Sequence, residues 1–109
     1  QLAVEIYRVT QKFPKDELYG LTSQMRRAAV SDASNIAEGK GRYSRKEFAQ
    51  FLYRARGSLL ELETQLFIAR ELQYLEPLAF RRMEDRTNEL GRILNGLTKS
   101  VLDSRNVAS

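Results

Sequence analysis

The chain has no cysteine and no histidine among its 109 residues, and each absence removes a class of chemistry. Without cysteine there is no disulfide framework, which fits a cytoplasmic location. Without either residue there are no thiolate nucleophiles, no imidazole bases and no Cys/His zinc sites. The Glu-x-x-His pairs of di-iron helix bundles are excluded as well. No loop is dense in Asp or Glu, so neither a metal nor any other cofactor is expected, and the chain is read as a non-enzyme. Helix breakers are scarce, with two prolines and six glycines, the composition of a helical protein. No apolar run approaches the roughly 20 residues that cross a bilayer, so no membrane association is expected. The opening Gln1-Leu2-Ala3-Val4-Glu5 has no basic start and no long apolar stretch, so no signal peptide is expected there. What is present is 42% hydrophobic and 29% charged residues, enough for one domain with one modest core. The formal charge of +4 points to an anionic partner, nucleic acid first, and is small enough to fit equally a mildly basic protein with no such partner.

Apolar spacing marks four helices, roughly 1–13, 16–39, 45–73 and 77–103. Leu2, Ile6, Val9 and Phe13 form the first stripe, stopped by Pro14, which disfavours helix in the residue before it. This helix is about half the length of the others, so a trimmed or missing N-terminal segment is expected. The second is placed from the acidic start Asp16-Glu17, with Leu18, Leu21, Met25, Ala28, Ala29 and Ile36 on its face, closed by a left-handed Gly39 or Gly41. Ser44 to Glu47 reads as a capping box for the third. Phe48, Leu52, Ala55, Leu59, Leu62, Leu66 and Ala69 then alternate steps of four and three, a left-handed bundle seam. Pro77 opens the fourth, and Phe80, Met83, Thr87, Leu90, Leu94, Leu97 and Val101 repeat the rhythm. Short connections imply an all-α, antiparallel up-down-up-down four-helix bundle in a single domain.

Three segments together resemble a known family: Phe13-Pro14-Lys15-Asp16-Glu17-Leu18-Tyr19-Gly20-Leu21, Ser34-Asn35-Ile36-Ala37-Glu38-Gly39, and Gly57-Ser58-Leu59-Leu60-Glu61-Leu62-Glu63-Thr64-Gln65-Leu66. They resemble the bacterial proteins encoded in 23S rRNA intervening sequences, the S23-type family. That family is similar to the accessory variability protein of diversity-generating retroelements. The resemblance implies a cytoplasmic bundle that assembles as a homopentameric ring, with no established catalytic activity. It also implies, from the retroelement relatives, a basic ring surface associated with RNA or DNA and with a reverse transcriptase. Two departures stand out. Asp32 and Ala33 occupy positions where the family usually has an apolar residue and proline, and the Trp-containing start of the first helix is missing.

Two groups of residues are candidates for function. Arg26, Arg27, Lys40, Arg42, Arg45 and Lys46, followed by Arg54 and Arg56, form a basic cluster suited to gripping phosphate; the plainer reading is a solvated loop. Tyr53, Leu60, Phe67 and Tyr74 recur every seven residues beside the main seam of the third helix. They read as a subunit interface or as a wide face buried within one bundle. Asp32 falls on or beside the apolar face, where a lone carboxylate is costly. It could pair with Arg26 or Arg27 of a neighbouring chain, cap a helix restarted after a break, or rotate to solvent. Glu61 and Glu63, two apart on a helix, cannot form a catalytic dyad and are expected to pair with arginines of a neighbouring helix. Gly57-Ser58 is read as a point of close helix approach. Two functions follow: a nucleic-acid-associated accessory protein, or a scaffold whose partner is another protein.

Overall fold

The computed structural model describes the backbone of residues 1–108 and the side chains of residues 1–103. Its elements are α1 (Leu2–Thr10), a 3₁₀ turn (Lys15–Glu17), α2 (Leu21–Lys40), α3 (Arg45–Glu71) and α4 (Pro77–Ala108). Neighbours in sequence pack side by side, and α1 also meets α4; among the described residues the diagonal pairs α1/α3 and α2/α4 come together only through side chains in the core, without close backbone approach. Gly39 lies against Phe48 while Ser31 meets Ser58, and Gly91 lies against Leu59 while Thr98 and Leu102 lie near Tyr53 and Arg56, so α2, α3 and α4 run antiparallel in turn.

α3 begins where the capping pattern puts it. Ser44 Oγ accepts the Glu47 backbone N–H at 3.3 Å, satisfying one of the donors a helix start leaves free. Its end is a Schellman closure: the Tyr74 N–H reaches the Ala69 carbonyl, the Gln73 N–H reaches Arg70, and Gln73 takes φ 63°. The left-handed residue is thus a glutamine. At the end of α2 neither glycine is left-handed; Gly41 caps the helix at φ −85°.

The second helix starts at Leu21, five residues later than its acidic approach suggests. Glu17 is the reason. Its Oε1 accepts the Leu21 N–H at 3.2 Å and its Oε2 accepts the Tyr74 hydroxyl at 2.9 Å, so it works as a cap from outside the helix. Leu18 consequently lies outside the seam, half-exposed. The first helix is shorter too, ending at Thr10, whose hydroxyl donates back to the Ile6 carbonyl at 2.7 Å. Phe13 is still buried, but from the connecting turn, where its ring lies 5.4 Å from that of Tyr74.

The core divides along the bundle. One cluster, with Ile6, Met25, Leu62, Leu66 and Met83 at its centre, draws on all four helices. The other, built on Leu52, Ala55, Leu59, Leu94 and Val101, receives only Leu2 from α1. At 1.5 Å per residue, nine residues of α1 span about 14 Å against about 48 Å for α4, so α1 lines one end only. Among the described residues, the end carrying the α2–α3 loop is built by α2, α3 and α4.

The close approach between α2 and α3 lies at Gly39. A Cβ there would sit 2.9 Å from the Phe48 ring and 3.0 Å from Phe51 Cβ, tighter than packed atoms tolerate. Gly57, by contrast, has nothing within 4 Å and does not serve as a contact point. Its neighbour Ser58 does cross the interface, with Oγ 3.0 Å from Ser31 Oγ.

Candidate nucleic-acid interface

Residues 38–56, the last turn of α2 through the first half of α3, carry six cations and two anions. Their surplus of four equals the formal net charge of the whole chain, so the remaining residues balance. Four of these cations sit around the α2–α3 loop at one end of the bundle, and Arg54 and Arg56 lie about 14 and 17 Å along α3 from Arg45. Lys40, Arg42, Arg45 and Lys46 are all exposed around the loop that Gly41 opens and Ser44 closes. Arg42 is held in place: it pairs with Glu38 at 3.0 Å and its guanidinium lies 4.8 Å from the centre of the Phe51 ring. Arg54 packs over the same ring at 4.9 Å. Lys40, Arg45 and Lys46 form no ion pair among the described residues. The Glu38–Arg42 pair is exposed on both sides and contributes little to stability.

Arg26 and Arg27 do not join this group. They lie about 20 Å back along α2, at 1.5 Å per residue. Arg26 ties α1 to α2: its Nε donates to Thr10 Oγ1 at 2.9 Å and its guanidinium covers the Tyr7 ring at 4.6 Å. The two arginines look continuous with the loop in sequence only because a helix separates residues along its axis as well as around it.

The seven-residue stripe splits in a similar way. Tyr53, Leu60 and Phe67 are 54%, 53% and 50% exposed on α3, so they are not the interior of this bundle. Tyr74 falls beyond the end of α3, after the left-handed Gln73, and packs internally against Phe13 and Glu17. The bond to Glu17, together with partial burial, pushes the Tyr74 phenol above its usual range.

Asp32 is 2% exposed in the middle of an unbroken α2. That removes two of its three readings, a restarted helix and a rotation to solvent. Its Oδ1 has no hydrogen-bond donor among the described residues, and burial pushes the carboxyl up to about 6. Next to it, Asn35 bonds locally, donating to the Ser31 carbonyl at 2.8 Å, while Ser34 is exposed. Glu61 and Glu63 do not reach an arginine among the described residues; Glu61 instead accepts from Gln65 at 3.3 Å.

A groove of about 1150 Å³ opens at the opposite end of the bundle, between α1, α4 and the α3–α4 turn. Arg8, Lys12, Arg70 and Arg82 line it over a floor that includes Val9 and Met83. Glu5 and Glu76 share the lining, and Glu5 pairs with Arg86 at 2.7 Å, so its field is more nearly balanced than that of the loop end. Among the described residues, no three acidic side chains gather as a metal-holding group. Nor is any described helix long and apolar enough to cross a membrane.

Comparison with known proteins decides the family. The model of the 23S rRNA-intervening sequence protein family matches residues 1–96. The chain belongs to that family. A solved structure agrees: a protein of unknown function from the S23 ribosomal protein family of Bacteroides thetaiotaomicron VPI-5482 superposes with a TM-score of 0.81. At 22% identity, over 90% of this chain and 92% of that one, the likeness is one of fold. No curated protein matches the chain. The buried Asp32 and the half-exposed α3 stripe of this 23S rRNA-intervening sequence protein lie inside the matched residues.

Proposed function

We propose that this protein is a non-enzymatic, cytoplasmic assembly that holds nucleic acid on the basic α2–α3 end of each bundle. The observation that carries the reading is the concentration of the chain's entire charge surplus in residues 38–56, with Lys40, Arg45 and Lys46 exposed and free of ion pairs among the described residues. Tyr53, Leu60 and Phe67 supply the apolar surface through which copies join, and the subunit number, five, follows from the resemblance to S23-type proteins. A ring repeats the basic end around its axis, so weak contacts with RNA or DNA act together. The lack of histidine and cysteine supports the non-enzymatic reading. A protein partner, such as a reverse transcriptase, would share the assembly. The second reading, a scaffold for another protein with no nucleic-acid role, rests on the same half-exposed stripe.

Salt dependence tests the reading. Neutralising four phosphates makes affinity fall roughly 50-fold for a single strand and 150-fold for a duplex between ~50 and ~200 mM salt. In fluorescence anisotropy, the variant carrying Lys40→Gln, Arg42→Gln, Arg45→Gln and Lys46→Gln loses most of that slope. Absence of RNA and DNA binding at the lower salt leaves the scaffold reading in its place.

A further inference from the structure

Tyr43 stands at the tip of the α2–α3 loop with its side chain fully exposed, at 106% of the reference value. It makes no side-chain hydrogen bond, ring contact or cation–π contact among the described residues. Other tyrosines are used differently: Tyr7 lies under Arg26, and Tyr74 packs on Phe13 and bonds Glu17. Leaving a large ring in water forgoes the stabilisation that burial would give. Its neighbours are Lys40, Arg42, Arg45 and Lys46, one of which, Arg42, is already fixed by Glu38 and Phe51. Tyr19 is nearly as exposed, but in its segment Asp16 and Glu17 offset Lys12 and Lys15, so no charge surplus accompanies it.

We infer that the basic end takes single-stranded nucleic acid, with the Tyr43 ring as the platform on which an unpaired base stacks. The inference rests on the reading that this end binds nucleic acid. The cations track the phosphates without regard to sequence, and the ring accepts the face of any base. A duplex keeps its bases stacked inside, where a loop-tip ring does not reach them, so it gains the charge contacts alone. Tyr43 is therefore the residue that distinguishes strand state.

Anisotropy with labelled oligo(U) and oligo(dT) of about 20 nucleotides, against a duplex of equal length at ~50 mM salt, separates the two levels of the claim. The expected result is tighter binding of single strands than of the duplex. Tyr43→Ala weakens single-strand binding about ten-fold or more and leaves the duplex unchanged, while Tyr43→Phe keeps the wild-type preference. Light scattering should show the same assembly mass for all three proteins. If Tyr43→Ala binds single strands as wild type does while Arg45→Gln/Lys46→Gln binds them weakly, the base platform is wrong and the basic end stands. A preference for duplex, or a changed mass for Tyr43→Ala, also overturns the platform. If wild type binds neither form, the reading of the basic end fails and the platform fails with it.

Discussion

Phe67→Arg is expected to take the proposed assembly apart while the bundle stays folded. Phe67 is half-exposed on the outer flank of α3, in line with Leu60 and Tyr53, and the core beneath it is filled by Leu62, Leu66 and Ala69. Removing its ring therefore opens no cavity inside the bundle. Between subunits the consequence is larger. Aromatic anchors at the centre of an interface commonly contribute 2 kcal/mol or more when truncated, on the order of a thirty-fold change in association. An arginine placed there also buries a charge with no partner, which costs several kcal/mol more. Arg70, stacked 4.8 Å from the Phe67 ring, adds a like charge beside it. A ring closes through one repeated contact, so the penalty falls on every interface at once. If the proposed pentamer forms, light scattering should read about 63 kDa for the wild type, five copies of the 12.6 kDa chain, and the monomer mass for the variant. Helical circular dichroism should be unchanged. A full-sized assembly of Phe67→Arg would place the subunit contact elsewhere.

The second large effect is at Asp32. Its carboxyl is raised from 3.8 to about 6 because burial disfavours the charged form. Between those two values the folded chain holds a proton that the unfolded chain releases. Stability therefore falls as pH rises through this window, and a cost of at most about 3 kcal/mol is fully present above pH 6. Asp32→Asn keeps the shape and cannot ionise. Urea denaturation at pH 7.5 should show the variant more stable, by less than that amount because its buried amide N–H groups also lack partners, with the gain shrinking toward pH 4. The comparison is cleanest in the Phe67→Arg background, where no neighbouring chain can supply a cation. If Asp32→Asn gives no gain at pH 7.5 in that monomer, the carboxyl is already compensated and the burial account is wrong. A gain in the monomer that vanishes in the assembly would give Asp32 its partner across the subunit contact.

Much of the bundle is legible in the sequence because α3 buries one side from Ala49 to Ala69 and α4 from Phe80 to Val101. The alternating four-three steps from Phe48 to Ala69 and from Phe80 to Val101 report that burial directly. Ser44 and Pro77 mark helix starts through local rules that need no tertiary contact. The parts that read differently all depend on contacts between distant segments. Glu17 looks like the first turn of a helix, and only the presence of Tyr74, fifty-seven residues away, shows it as a cap instead. Tyr74 continues a seven-residue spacing through a point where Gln73 has already turned the chain out of the helix. Arg26 is adjacent to other cations in sequence but is drawn to Thr10 and Tyr7 by the return of α1. Gly39 and Gly57 are alike in composition terms, and only the packing of Phe48 and Phe51 on the former distinguishes them. The candidate surface was legible as a run of charge. Its freedom from Arg26 and Arg27, and the bare ring of Tyr43 at its tip, were not.

The central claim is that nucleic acid meets this protein at the α2–α3 end. Two basic regions compete for that role, the loop end around Lys40 to Lys46 and the groove lined by Arg8, Lys12, Arg70 and Arg82 at the far end. Ultraviolet cross-linking of the intact protein to oligo(U), followed by mass spectrometry of the linked peptides, distinguishes them in a single measurement. Cross-links confined to residues 38–56 are the predicted result. Cross-links centred on residues 8–12 and 70–82 would contradict it.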